Sequence, residues 1–250
     1  MRRLIVLLLP LGIMLMTAGD ARPDDARQAQ AVVDRAIRAH GGLERLAKTQ
    51  LMIRKATGVM SLFGQDVPFS DELILQLPQR WRLTLEAGPA GQKAQFLLIV
   101  NDKQAWQSDG SAVAEVAKER LGELREEAYL LWLTTLVPLK KESGFTLATS
   151  AGAKVHDQEA SVIKVARQGH AEIKLYFDKQ TGLLIKAEHQ TRDAGLEVTK
   201  EYVYSGHKEV EGVQLPTKSV ELTNGKKLTE LSTITYKFPA KVEESIFAKP

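Results

Sequence analysis

The stretch from residue 172 to residue 238 has the sequence pattern of consecutive β-strands joined by tight turns. Its clearest turn is Asn224-Gly225, which separates two alternating segments, residues 218–222 and residues 228–238. Asparagine and glycine both accept the positive φ angles of a type I′ turn, so this dipeptide is a strong signal for a β-hairpin. A run of hairpins predicts a wide antiparallel sheet, and such a sheet must cover at least one of its faces. What covers that face is the central question about function.

The rest of the chain adds further strands and two helices. Apolar residues recur at helical spacing from Pro23 to the Gly41-Gly42 pair, and again over residues 112–137. The end of the second segment, residues 129–137, is apolar on all sides, so we expect it to be buried. Elsewhere apolar and polar residues alternate, which gives about eleven strands, and a twisted sheet of that size curls or closes. We expect one domain over residues 22–250, mainly β (α+β) in class.

The first residues have the pattern of a secretory signal peptide. Arg2 and Arg3 precede an apolar stretch, residues 4–16, and small residues follow it as far as Ala21. We therefore expect a signal peptide over residues 1–21 and no membrane span after its cleavage. The chain has no cysteine, which excludes disulfides, thiolate metal ligands and a lipid-modified cysteine. These features predict a soluble protein that is periplasmic or secreted.

Charge and motifs argue against several classes of function. The net charge of +3 is scattered among acidic residues and lacks the basic stripe of a nucleic-acid-binding protein. The sequence contains no G-x-S-x-G elbow, phosphate-binding loop, dinucleotide fingerprint or HExxH motif. The five histidines form no i,i+4 pair for a helical metal site; they are His40, His156, His170, His189 and His207. We predict no nucleic-acid partner, no cofactor, no metal site and no enzymatic activity.

The remaining signal is a set of large apolar side chains on elements that should face one another. One interpretation is that they form a packed core, as most such side chains do. The other is that a curled sheet with a helix across its mouth leaves an apolar cavity, in which an acyl chain gains ~0.8 kcal/mol for each buried CH₂ group. The candidate lipid-binding residues are Leu73, Leu75, Trp81, Leu83, Leu85, Phe96, Leu98, Leu131, Trp132 and Leu136.

Four short motifs resemble those of the LolA/LolB-like superfamily of outer-membrane lipoprotein-sorting and related envelope proteins. They are HGGL at residues 40–43, LYFDKQTGL at residues 175–183, EGVQLP at residues 211–216 and SIFAKP at residues 245–250. The motifs stand in the order expected for the family, and the likeness covers nearly the whole mature chain. The resemblance implies an unclosed antiparallel half-barrel, with an N-terminal helix and an inserted lid helix covering its concave face. It also implies a cavity that receives lipoprotein acyl chains or other lipids without catalysis.

The leading prediction is a soluble periplasmic protein that acts as a monomer and binds a lipid or an acylated protein, as a lipoprotein carrier does. The alternative is a non-catalytic sensor or interaction module of the same fold, which contacts an envelope protein partner. An open apolar cavity favours the carrier, whereas an interior filled by Trp81 and Phe96 favours the interaction module. A hydrolase is a third hypothesis, and it requires acids and histidines that converge inside a pocket.

Overall fold

The computed structural model describes residues 23–62 and 64–250 of the chain. The predicted signal peptide, residues 1–21, lies outside the described residues. The helices are α1 (Pro23–Ala39), α2 (Leu43–Leu46), α3 (Lys118–Thr134) and α4 (Pro138–Lys141), with 3₁₀ turns at Ala47–Gln50 and Glu244–Phe247. None of these helices combines the length and the apolar content that crossing a membrane requires.

Most of the described chain forms strands. They are β1 (Leu51–Leu62), β2 (Gln65–Gln76), β3 (Arg80–Ala87), β4 (Ala94–Val100), β5 (Ala105–Ser108), β6 (Val113–Glu115), β7 (Phe145–Val155), β8 (Gln158–Arg167), β9 (Ile173–Asp178), β10 (Leu184–Asp193), β11 (Leu196–Ser205), β12 (Lys208–Val210), β13 (Val213–Leu215), β14 (Lys218–Thr223) and β15 (Lys226–Lys237). Thirteen strands form one antiparallel sheet in the order β6-β5-β4-β3-β2-β1-β15-β14-β11-β10-β9-β8-β7, while β12 and β13 form a separate hairpin. The sheet does not close into a barrel, and the predicted mainly β half-barrel is confirmed.

The chain passes from one edge of this sheet to the other through α3. The helix follows the edge strand β6 and leads through α4 to β7, which is the opposite edge. It packs against β10, and α1 packs against β7 and β8. Apolar side chains from both helices and from one face of the sheet form the largest hydrophobic core. The two helices therefore cover the concave face, as the resemblance implies.

The Asn224-Gly225 turn joins β14 to β15, as the sequence predicts. Both residues have positive φ angles, 51° and 73°, and Thr223 pairs with Lys226 across the turn. The Asn224 side chain also accepts a hydrogen bond from the backbone N–H of Thr199 at 2.9 Å, and the Asn224 backbone N–H donates to the Thr199 carbonyl at 2.8 Å. The turn thus fixes the register of its own hairpin and its position against β11.

The prediction of one helix over residues 112–137 is wrong at both ends. Residues 113–115 form β6, which pairs with β5 through the register Trp106 to Glu115. A turn at Asp109-Gly110, where Gly110 has a φ angle of 90°, makes this hairpin, and helical spacing alone did not reveal it. The helix ends at Thr134 because the chain turns at Leu136, whose φ angle is 63°. The short strands β5, β6, β12 and β13 were not among the eleven predicted.

Candidate functional site

The second half of α3 forms a roof over the concave face. Leucine is a good helix former, and this half places Leu130 and Leu133 in the core beneath the helix. Leu131, by contrast, is only partly buried and borders open space between the helix and the sheet. The roof therefore closes over a space that the core does not fill.

Two adjacent cavities lie between this roof and the sheet. The first, here named the Trp81 cavity, has a volume of about 230 Å³. The second, named the His40 cavity, has a volume of about 120 Å³. The two share five lining residues: Arg54, Leu73, Leu131, Tyr204 and Ser219. Because these residues border both cavities, a small rearrangement of their side chains would join the two spaces.

Six of the ten residues predicted to bind lipid line these cavities. Leu73 and Leu131 border both, and Leu75 borders the His40 cavity. The Trp81 cavity is also lined by Trp81, Leu83 and Leu85. Alternation along β2 and β3 explains this grouping, since every second residue of a strand points to the same face.

The other four predicted residues lie in the core beside the cavities. Phe96 and Leu98 pack on β4 within the main core. Trp132 packs in the core beside β7 and β8, with its ring 6.2 Å from that of Phe145 and 5.6 Å from the guanidinium of Arg167. Leu136 is fully buried at the turn that follows α3. None of the four is among the residues that line the two cavities.

The structure adds an ion pair that the sequence patterns did not reveal. Arg54 on β1 donates from Nη2 to Asp71 Oδ2 at 2.6 Å, and both side chains line the Trp81 cavity. The Asp71 side chain is only 5% exposed, and burial raises the pKa of its carboxyl although Arg54 opposes the shift. A partial signal was present in β2, where Asp71 stands between Phe69 and Leu73 in the alternation of apolar residues, but β1 gave no sign that Arg54 faces it.

A second charged cluster holds the first half of α3. Lys200 Nζ on β11 lies 2.9 Å from Glu127 on the helix and 3.1 Å from Asp193 at the end of β10. Arg120 donates at 2.8 Å to both Asp193 and Glu123. Burial alone would lower the pKa of Lys200, but the surrounding carboxylates, Glu127 first, raise it above its ordinary value. Lys200 is therefore charged while its side chain is only 4% exposed.

The histidines do not converge with acids on a reactive centre in the described part of the chain. His40 and His189 are buried rather than exposed at turns, and burial lowers the pKa of each to about 4. His170 stacks on Tyr129 with ring centroids 3.7 Å apart. Within residues 23–62 and 64–250, no group of three or more His, Asp or Glu side chains has the arrangement of a metal site.

Three of the family-like motifs meet where α1 docks onto the sheet. The His40 ring donates from Nδ1 to the Ala36 carbonyl at 2.9 Å, and its Nε2 faces the Leu184 N–H at 3.4 Å. Gly41 passes so close to the hairpin of β12 and β13 that a Cβ atom there would lie 2.0 Å from the Gly212 carbonyl oxygen. Arg35 on α1 donates to two carbonyls in the turn after β9. These motifs therefore build the scaffold.

The fourth motif lies on the opposite face of the sheet. Phe247, in the C-terminal 3₁₀ turn, is buried against Ile99 and Trp106. Glu244 in the same turn forms an ion pair with Arg80 on β3. This contact supports the strands that carry Trp81 and Leu98, without reaching either cavity.

Comparison with known proteins identifies the fold. No family model and no curated protein matches the sequence. A LolA superfamily protein from Nitrosomonas europaea has a TM-score of 0.55 and 11% identity, covering 88% of this chain and 97% of that chain. A domain named for outer membrane lipoprotein sorting, from Vibrio parahaemolyticus, has a TM-score of 0.52 and 15% identity, covering 87% and 97%. A DUF1329 family protein from Desulfovibrio piger has a TM-score of 0.55 and 12% identity, covering 88% and 97%.

These structural matches confirm the fold that the motifs implied. They extend over most of this chain and nearly all of each related structure. At identities between 11% and 15% they establish a common architecture, and the properties of this chain's cavity depend on its own residues.

Proposed function

We propose that this protein binds a lipid or the acyl chain of a lipoprotein between α3 and the concave face of the sheet. The observation that carries the proposal is the pair of cavities, because close-packed protein cores leave few voids larger than a water molecule. Trp81 lines the larger cavity without filling it, and Phe96 lies beside it. An unfilled interior favours the carrier hypothesis over the interaction module. Transfer of an acyl chain into such a space is favourable by ~0.8 kcal/mol per CH₂ group.

Helix α3 is the part of the structure that we expect to move. Ligand pockets commonly have volumes of roughly 300–1,000 Å³. Each cavity is smaller, at about 230 Å³ and about 120 Å³. A displacement of the roof at Leu131, which borders both cavities, joins and enlarges them. In this proposal the acyl chain replaces the contacts that the roof makes with the sheet.

We also propose that the protein works in the periplasm or outside the cell and has no catalytic activity. The signal-peptide pattern of residues 1–21 supports export. The fold shared with a LolA superfamily protein and with a lipoprotein-sorting domain supports an acylated or lipid ligand. A carrier of this kind receives its ligand from one envelope partner and delivers it to another.

The test is acyl-chain binding by the purified mature protein after delipidation. We expect it to take up a fluorescent acyl probe, and native mass spectrometry to detect lipid that co-purifies with it. Replacing Leu131 with Trp fills the space shared by both cavities and should weaken probe binding at least about tenfold, or 1.4 kcal/mol. Lys118→Trp adds the same ring to the exposed start of α3 and should leave binding unchanged.

Two results would contradict the proposal. If the wild-type protein neither takes up the probe nor carries lipid, acyl binding is excluded. If both tryptophan variants bind as the wild type does, the probe binds elsewhere than under α3. Thermal unfolding of each variant establishes that a loss of binding is not a loss of folding.

A further inference from the structure

We propose that Arg54 and Asp71 are a polar anchor for the group that links the acyl chain to the rest of the ligand. The anchor selects a neutral linkage that carries a carbonyl and an N–H, such as an amide, over a free carboxylate. This inference rests on the proposed function, since it names the class of ligand that the cavities take. It is carried by two unused hydrogen-bonding atoms at the junction of the two cavities.

The two atoms belong to one ion pair on the concave face. Arg54 uses Nη2 for its bond to Asp71 Oδ2, at 2.6 Å. Its Nε, and the second oxygen of Asp71, Oδ1, are buried and meet the geometry of a hydrogen bond with none of the described groups, although the Ala56 backbone N–H lies near enough to the carboxyl to lower its pKa. The free groups are therefore one donor and one acceptor on neighbouring side chains.

A buried donor or acceptor without a partner lowers the stability of the folded state, because its hydrogen bonds to water are lost and not replaced. Such groups are therefore uncommon in native structures. An amide offers a partner for each of the two atoms: its carbonyl can accept from Arg54 Nε, and its N–H can donate to Asp71 Oδ1. An ester offers the carbonyl alone. An unsubstituted hydrocarbon offers neither group.

The position of the pair also indicates where the linkage lies along the ligand. Arg54 borders both cavities, and Asp71 borders the Trp81 cavity. A linkage held here has space on each side of it, with Leu83 and Leu85 lining one side and Met52 and Leu75 the other. This arrangement suits an acyl chain with a substituent beyond its carbonyl better than a fatty acid that ends there.

Charge gives an independent argument against a free carboxylate. The Trp81 cavity is lined by the carboxyls of Asp71, Glu127 and Glu221, and Arg54 is the cation that lines it among the described residues. Lys200 lies outside the lining, at 2.9 Å from Glu127 and 4.0 Å from Glu221. Burial already raises the pKa of Glu221 and of Asp71. A fatty-acid carboxylate would add a negative charge to this group, whereas an amide or an ester adds none.

The experiment compares three ligands that share one acyl chain: N-methyl lauramide, methyl laurate and laurate. Each displaces a fluorescent acyl probe from the delipidated mature protein. We expect the amide to bind about tenfold more tightly than the ester, which is the contribution of one well-placed hydrogen bond to a charged acceptor. We expect laurate to bind more weakly than the amide. In Arg54→Met/Asp71→Leu, the amide should lose its advantage over the ester, because its N–H has no acceptor in the site.

The chain provides a matched control on the opposite face of the same two strands. Lys55 and Glu72 also form an ion pair, at 2.8 Å, one residue further along each strand. Lys55→Met/Glu72→Leu should therefore keep the amide preference of the wild type.

If the Arg54 and Asp71 variant does not fold, NMR of the ligand bound to the wild-type protein provides the measurement. The amide proton of ¹⁵N-labelled N-methyl lauramide should resonate downfield of its position in an apolar solvent.

Each failure has a distinct meaning. If the amide and the ester bind the wild type equally, if laurate binds most tightly, or if the amide proton does not shift, the anchor is overturned while acyl binding stands. The anchor is also overturned if the Arg54 and Asp71 variant folds and keeps the preference. If none of the three ligands displaces the probe, or the probe itself does not bind, the proposed function fails and the anchor fails with it.

Discussion

The two halves of α3 differ in how they are held to the sheet. Residues 118–127 bury Leu121 and Leu124 and also make charged contacts, of which the buried Lys200 to Glu127 pair is central. Residues 128–134 are fixed by burial, and Leu133 in this half is completely inaccessible to solvent. Charged contacts depend on pH and geometry, whereas apolar contacts can be replaced by another apolar surface, such as an acyl chain. In the proposed function, a ligand competes with the contacts of the second half, while the charged contacts of the first half set the position of the helix.

The largest expected effect comes from removing the central cation of the charged half. Lys200→Met leaves Glu127, Asp193 and Glu221 near one another without their shared cation. Removing one partner of a buried charge cluster destabilises a protein by about 4 kcal/mol, and we expect that loss at pH 7 in chemical denaturation. In the variant, burial holds the pKa of Glu221 further above its unfolded value, because Lys200 no longer opposes the shift. The folded state then binds more protons, so part of the lost stability returns as the pH falls from 7 to 5.

Leu133→Ala in the apolar half is the matched control for that measurement. Truncating a fully buried leucine should lower the free energy of unfolding by about 3 kcal/mol. No charge changes, so the difference between this variant and the wild type should stay the same from pH 7 to pH 5. If the two variants show the same pH dependence, the distinction between the halves is wrong.

A second group whose charge depends on pH, His189, lies on the sheet beside the charged cluster. It lies opposite Lys200 on the concave face, and burial, followed by the charge of Lys200, lowers its pKa to about 4 from 6.5. Between those two values the unfolded state binds more protons than the folded state, so stability falls as the pH falls. This residue alone should remove about 3 kcal/mol between pH 7 and pH 4.

The measurement compares the loss of stability on acidification in the wild type and in His189→Leu. The variant should lose about 3 kcal/mol less over that pH range, because it has no imidazole to protonate. His156→Asn is the control, since His156 is exposed in the turn between β7 and β8 and asparagine accepts its φ angle of 51°. Equal losses in all three proteins would show that His189 is not held neutral in the fold.

Local patterns were enough to predict the scaffold. Period-two alternation from residue 172 to residue 238 and the Asn224-Gly225 turn are properties of adjacent residues, and the hairpins followed from them. The short strand β6 was assigned to the helix because three residues are too few to show a period. The apolar lining of the cavity on β2 and β3 was predicted for the same local reason, since one face of each strand is apolar.

The charged parts of the site depend on pairings that no local pattern encodes. In β1, both faces carry apolar residues, so alternation did not show that Arg54 rather than Ile53 faces the helix. The cluster around Lys200 joins side chains from α3, β10 and β14, which are brought together only by the strand order. These side chains are distant in sequence, and their proximity is a property of the tertiary fold.

The smallest expected effect concerns the contact between Glu126 and His170 at the margin of the charged half, which is an ion pair only when His170 is protonated. Glu126 Oε1 lies 2.9 Å from Nδ1 of His170, and the two side chains remain 27% and 31% exposed. Solvent screens such a pair, so Glu126→Gln should lower the free energy of unfolding by only about 0.5 kcal/mol at low ionic strength, and by less in salt. A loss as large as that of Lys200→Met would mean that the surface of α3, rather than the buried cluster, fixes the helix. The ratio of these two losses in unfolding free energy therefore measures how much more a buried charged contact stabilises α3 than an exposed one does.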